Sequence, residues 1–156
     1  MRRPLNVMRI RPLQGGAHNP ISNTFGMVRT NHTRAHQGWD LLAPVGTPVF
    51  AIADGELKVG RGKDYGDWIS LKFMHGGLPY YAFYAHLHLI LQGNSSVVEG
   101  AKIALTGRSG NAGGKTPISE AHLHFEIRTV ENPGTGLPGR IDPGNILGYQ
   151  VYSSSS

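Results

Sequence analysis

Short apolar runs alternate with polar positions along this chain, and glycine or proline closes most of them. Successive side chains of a strand point to opposite faces, so strict alternation marks a strand with one face on a core. Asp67-Trp68-Ile69-Ser70-Leu71-Lys72-Phe73-Met74 has that pattern, and Gly76-Gly77 turns the chain after it. Thr47 to Ala53 reads as a strand ended by the turn pair Asp54-Gly55, with Glu56-Leu57-Lys58-Val59 as the returning arm of a hairpin. Leu78 to Leu87 is aromatic and strand-like, Val97 to Leu105 is a strand region around a glycine bend, and His122 to Arg128 alternates without a break. No stretch carries a helical stripe, and Ile118-Ser119-Glu120-Ala121 makes a turn of helix at most. Gly107 to Gly114 and the Gly/Pro-rich Asn132 to Gly144 read as loops. The pattern predicts one mainly β domain over residues 21–148, preceded by an irregular arm, 1–20, and followed by a flexible serine-ended tail, 149–156.

Composition narrows the chemistry. A chain of 156 residues suits one domain, which buries roughly 68–70% of its unfolded surface at this size. Cysteine is absent, which excludes disulfides, thiolate metal sites and a cysteine nucleophile. Any metal must then be held by histidine and carboxylate. The formal charge of +5, from 15 Lys+Arg against 10 Asp+Glu, favours an anionic partner such as cell-wall polymer, nucleic acid or a membrane surface. Arg2, Arg3, Arg9 and Arg11 cluster, but no aromatic residue is interleaved among them, so a nucleic-acid groove is poorly supported. The basic N-terminus has no apolar run behind it and no stretch is long enough to span a bilayer. The expectation is delivery by a secretion system or phage lysis, or a signal already removed.

Two histidine motifs carry the candidate chemistry. His36-Gln37-Gly38-Trp39-Asp40 reads H-x-G-x-D, and His122-Leu123-His124 reads H-x-H within an alternating strand. On a strand, His122 and His124 share a face, opposite Leu123, Phe125 and Ile127. Gly38 lets the backbone approach closely between His36 and Asp40. Together they offer three zinc ligands and a spare imidazole. A catalytic zinc site has three protein ligands and an open position, so the pairing points to a metallohydrolase. One aspartate leaves the ion a net charge of about +1 and able to acidify water.

Further pieces follow in order: Phe25-Gly26-Met27-Val28-Arg29 upstream, Ala43 to Val49 with Ala53-Asp54-Gly55, then Tyr84-Ala85-His86-Leu87, Gly107-Arg108-Ser109-Gly110 and His122 to Glu126. From about Asn23 to Leu147 the chain resembles the lysostaphin-type (LytM-like) zinc metallopeptidases, which cut peptide cross-links of bacterial cell walls. The resemblance implies an antiparallel-sheet domain with an open groove and one Zn²⁺ held by His36, Asp40 and His124. It implies His86 and His122 as the non-ligand catalytic histidines, for proton transfer and oxyanion stabilisation. Glu126 suits an acceptor orienting a ligand imidazole. Tyr80, Tyr81 and Tyr84 divide between core and groove wall, and His88 shares the His86 face if the strand runs on. His32 and His75 read as surface residues, while His18 in the arm could reach over the cleft. The loop from Asn111 to Ala121, with Lys115, Pro117 and Glu120, is longer than the family's usual one and borders the cleft.

The implied function is zinc-dependent hydrolysis of peptidoglycan cross-links, at the D-Ala–diaminopimelate bond, by a secreted antibacterial toxin effector or a lysin acting in the periplasm or at the wall. Its partners are then the peptidoglycan substrate and an immunity or inhibitor protein, with no nucleic acid and no membrane insertion. The alternative is a non-enzymatic LytM-like activator or binder of wall hydrolases, which the filled ligand positions disfavour.

Overall fold

The computed structural model describes residues 1–10, 24–29, 34–115, 118 and 121–153. In chain order the strands are β1 (Arg9–Ile10), β2 (Gly26–Arg29), β3 (Arg34–His36), β4 (Trp39–Leu42), β5 (Pro48–Phe50), β6 (Gly55–Gly62) and β7 (Gly66–His75). They continue as β8 (Leu78–Ile90), β9 (Ser96–Val97), β10 (Lys102–Thr106), β11 (His122–Arg128), β12 (Arg140–Ile141) and β13 (Tyr152–Ser153). The helices are α1 (Ala112–Lys115) and α2 (Pro143–Leu147). Among the described residues, an 11-stranded sheet runs β13-β1-β4-β11-β8-β7-β6-β9, with β10, β5 and β12 off that path, beside the two-stranded β2–β3 sheet. The β domain expected from the alternation is what folds.

Strand β11 sits between β4 and β8, antiparallel to both. Alternation on β11 puts Leu123, Phe125 and Ile127 into the core, where none is exposed. There they meet Trp39 and Leu41 of β4 and Ala82 and Tyr84 of β8. Burying such side chains supplies the main drive for folding, roughly 1.5–3 kcal/mol each. The other face of β11 is left to its histidines.

Three expectations are corrected. Residues 1–10 are no separate arm: Leu5 and Met8 are buried in the main core, and β1 pairs with β4. The tail to residue 153 is also part of the sheet, since β13 pairs with β1 and Tyr149 and Val151 pack on the core. Apolar side chains in both termini gain by burial what a polar tail could not. The stretch read as a loop up to Gly144 holds β12 and the start of α2. Asp142 caps that helix by accepting from the Gly144 amide, Pro143 opens it, and Gly148 closes it in the left-handed region at φ 85°. The 20/21 boundary, Arg11, His18, His32, Pro117, Ser119, Glu120 and Ser154 to Ser156 lie outside the described residues.

Candidate metal centre and groove

The register of β4 on β11 sets His124 directly across from Asp40. His36 ends β3, and only Gln37 and Gly38 separate it from the start of β4, so the chain passes His36 and Asp40 to the same point. Gly38 makes that passage possible: a Cβ there would collide with the Phe125 carbonyl and lie 2.9 Å from Glu126 Cγ. The glycine is required by close approach to β11, not by a turn.

The side chains meet with their lone pairs converging. His36 Nδ1 lies 2.9 Å from the Thr24 carbonyl, which can only accept, so in the neutral ring Nδ1 carries the proton and Nε2 is the lone-pair atom. His36 Nε2 is buried with no hydrogen-bond partner, 3.2 Å from Asp40 Oδ1. His124 Nε2 donates to Glu126 Oε2 at 2.6 Å, so in the neutral ring Nδ1 is the lone-pair atom, 3.0 Å from the same Asp40 oxygen. Two imidazole lone pairs and an anionic oxygen thus face one another, buried, with their donors directed elsewhere. A positive charge between them relieves that arrangement, whether a metal ion or, without one, a proton. The ligand atoms of His36, Asp40 and His124 all lie within 4.8 Å of one another, as three ligands of one metal ion must. Two imidazoles and a carboxylate suit zinc.

The electrostatics agree. With protons rather than a metal between these groups, burial would raise the Asp40 pKa, but attraction to His36 and His122 and hydrogen bonding with His124 and His36 hold it well below the usual carboxylate range. Burial opposes charge on His124 too, yet hydrogen bonds and attraction from Asp40 and Glu126 raise it to about 9. Burial of Glu126 is likewise outweighed, by His124 first and then by Arg128 and Arg140, and its pKa falls to about 2. Glu126 is 0% exposed and accepts from Arg128 Nε at 2.8 Å and Arg140 Nε at 2.7 Å on its second oxygen. It therefore fixes the His124 tautomer, and two arginines fix it in turn.

His86 and His122 stand beside this cluster at the floor of an open groove of about 1090 Å³. Their rings meet edge to face, centroids 5.4 Å apart, and His122 Nε2 lies 3.8 Å from Asp40 Oδ1. His86 reaches the groove through a local irregularity. Its φ is +61°, its amide donates to the Tyr65 carbonyl at 2.8 Å, and the β7–β8 register shifts beside it. A bulge of this kind re-aims a side chain. Its Nδ1 donates to the Ser109 carbonyl at 2.8 Å, which fixes the ring. The same irregularity breaks the alternation to His88, which is exposed and does not line the groove. His75 is exposed, as expected.

All five sequence-selected residues therefore come together. The groove wall is built from aromatic residues other than those expected. Tyr84 is wholly core, and Tyr80 and Tyr81 do not line the groove; Tyr65, Trp68 and Phe83 do. Tyr65 stacks on the His124 ring at 5.9 Å and 22°. Gln37 donates to the Tyr65 hydroxyl at 2.8 Å and accepts from the Gly136 amide at 2.8 Å. Arg140 donates to the carbonyls of Gly134 and Gly136 at 2.6 and 2.8 Å, so the 134–136 segment becomes a pinned wall. Arg128 continues the polar face of the H-x-H strand, whereas Arg140 and Tyr65 carried no signal, because their neighbours in sequence form no motif of their own.

The model of peptidase family M23 matches residues 34–135. The DD-carboxypeptidase/endopeptidase Mpg of Neisseria meningitidis serogroup B is 37% identical over 117 residues, 72% of this chain and 25% of that protein. The peptidoglycan DD-endopeptidase ShyB of Vibrio cholerae is 32% identical over 123 residues, 75% of this chain and 27% of that one. The chain thus spans about a quarter of the length of these relatives. In fold it is similar to the catalytic domain of lysostaphin from Staphylococcus simulans, with a TM-score of 0.64 at 23% identity, over 81% of this chain and 90% of that one. A zinc-containing peptidase from Vibrio cholerae gives a TM-score of 0.57 at 28% identity, over 86% of this chain and 41% of that one. The family match runs from β3 through β11, and so through every histidine of the groove floor: the chain belongs to peptidase family M23, the lysostaphin-type group its motifs resemble.

Proposed function

We propose that this chain is a zinc-dependent endopeptidase that hydrolyses peptide cross-links of bacterial peptidoglycan. The observation that carries the reading is the buried convergence of His36 Nε2, Asp40 Oδ1 and His124 Nδ1 beneath an open groove flanked by His86 and His122. A zinc ion held by His36, Asp40 and His124 supplies Lewis acidity toward a carbonyl and toward water. The rest falls to the chain's own side chains. The groove admits an extended peptide and holds its amide over the floor. The His86–His122 pair takes the proton of the attacking water, hydrogen-bonds the oxyanion as charge builds on the carbonyl oxygen, and returns a proton to the leaving amine. The C–N bond breaks, leaving a carboxylate on one product and an amine on the other. His86 is suited to this because the Ser109 carbonyl fixes the ring's orientation before substrate arrives.

Within that class the D-Ala–diaminopimelate bond is the substrate of choice, supported by the two relatives named above, a DD-carboxypeptidase/endopeptidase and a peptidoglycan DD-endopeptidase. The place of action is the periplasm or wall, reached as a toxin effector or lysin; the surplus of basic residues favours the anionic wall polymer, and an immunity protein would block the groove in a producing cell. Digestion of purified peptidoglycan, read by mass spectrometry, tests the bond. Loss of dimeric muropeptides with matching gain of tetrapeptide monomers is expected; dimers untouched by zinc-loaded protein would refute the reading.

A further inference from the structure

Two buried arginines at the groove floor share one carboxylate. Arg128 is 5% exposed and Arg140 7%, and both donate through Nε to the same oxygen of Glu126. The other oxygen of Glu126 is used by His124. Buried charges are tolerated when compensated, and here a guanidinium charge is left over. The groove's other carboxylates do not supply it. Asp40 belongs to the histidine cluster, Asp64 is exposed, and Glu131 is exposed with its carboxylate on Lys58 at 3.5 Å.

Donor accounting says which arginine has capacity. Arg140 is a strut: Nε on Glu126, Nη1 on the Gly134 and Gly136 carbonyls, and Nη2 3.5 Å from the Tyr65 hydroxyl. Arg128 is different. Nε is on Glu126, Nη1 makes a long contact of 3.4 Å with the Glu131 carbonyl, and Nη2 has no partner among the described residues. A guanidinium has five N–H donors, so most of its fork is unspent. The guanidinium carbon also sits over the Phe83 ring, 3.6 Å from its centroid, and 5.7 Å from that of Tyr65. The Phe83 contact and the bond to Glu126 hold the group in place, and the side chain lines the groove that the histidines floor. A preorganised guanidinium with open donors is the usual partner of a planar carboxylate.

The geometry points to Arg128 as a subsite for a free carboxylate carried by the substrate next to the scissile amide. This rests on the endopeptidase reading and sharpens it. The favoured substrates are cross-links in which the residue donating the amine keeps its own carboxylate, and glycine bridges or amidated cross-links are poor ones. The subsite spends its binding energy beside the reacting bond, so it contributes to kcat/KM rather than to remote anchoring.

Two synthetic cross-linked peptides decide it. Both join D-alanine to the side-chain amine of diaminopimelic acid; in one the carboxylate on the amine-bearing carbon is free, and in the other it is a primary amide. The zinc-loaded wild-type chain should cleave the free acid roughly tenfold to a hundredfold faster in kcat/KM, as expected for a charge-assisted pair. Arg128→Gln should erase the preference, and Arg128→Lys, which keeps the cation, should retain part of it. Zinc content of each variant separates loss of the subsite from disturbance of Glu126. Equal cleavage of both peptides by wild type overturns the inference while leaving the endopeptidase reading intact, and a preference that survives in Arg128→Gln also overturns it. If neither peptide is cleaved, the endopeptidase reading fails; calorimetric binding of the free-acid and amide forms of the amine product then still tests the subsite, with equal affinities counting against it.

Discussion

Replacing Glu126 by glutamine changes little in shape and much in electrostatics. The carboxylate is fully buried and accepts three charged or polar donors: His124 Nε2 at 2.6 Å, Arg128 Nε at 2.8 Å and Arg140 Nε at 2.7 Å. An amide has one acceptor end. If its oxygen faces the arginines, its NH₂ meets His124 Nε2, and the ring must shift its proton to Nδ1, the atom that faces Asp40. If its oxygen faces His124, the NH₂ meets two guanidinium groups. The first arrangement spoils a metal ligand, and the second leaves two buried cations without an anion. Loss of an outer-shell partner of this kind costs about 10–100-fold in metal affinity. Breaking a buried ion pair costs about 3–5 kcal/mol of folding stability. Glu126→Gln should therefore weaken zinc binding at least tenfold in a chelator competition, and lower the denaturant midpoint of the chelated chain as well. Zinc affinity within twofold of wild type would refute the claim that Glu126 fixes the His124 tautomer.

Other outcomes follow from the same geometry. Gly38→Ala drives a methyl into the Phe125 carbonyl, so it should destabilise the fold by about 1–3 kcal/mol in urea melts; an unchanged midpoint would show that β4 and β11 can separate freely. His124 is held near 9, so below that pH a proton competes with zinc for Nδ1. Apparent zinc affinity should then rise about tenfold per pH unit from 6 to 8, and a flat profile in chelator-corrected titrations would contradict it. Glu126, depressed to about 2, contributes stability that is fully present above its unfolded value of about 4.3 and lost as pH falls through about 2. His86→Ala should cut kcat by roughly 10²–10⁴ with zinc content unchanged, whereas His88→Ala should leave turnover as it was; similar losses in both would undo the assignment of the bulge.

What could be read from the chain depended on how local each signal was. The strand β11 was legible because its alternation runs unbroken, and its register on β4 then follows from burying Leu123 and Phe125 while His124 meets Asp40. The H-x-G-x-D glycine was legible as a close approach, although only the fold shows the neighbour to be the Phe125 carbonyl. The bulge at His86 was not, since a positive φ on a non-glycine residue leaves no mark in composition. Leu5 and Met8 sit among arginines without periodicity, so their burial in the core had no pattern to announce it. The helix α2 is too short for a helical stripe, yet its caps Asp142-Pro143 and Gly148 were written in the chain. Arg140 lies 14 residues from the carboxylate it clamps, in a Gly/Pro-rich stretch, and only tertiary packing joins them. The ordered motifs reached further than any of these, because they reported the family and with it the groove.

The most direct measurement is a zinc titration of the chelated chain in which bound metal and hydrolysis of cross-linked muropeptides are read on the same samples. Turnover should rise in proportion to bound zinc and stop at one ion per chain, and His124→Ala should lose both together. Wild-type rates that persist in the chelated chain, or in His124→Ala, would contradict a zinc peptidase centred on His36, Asp40 and His124.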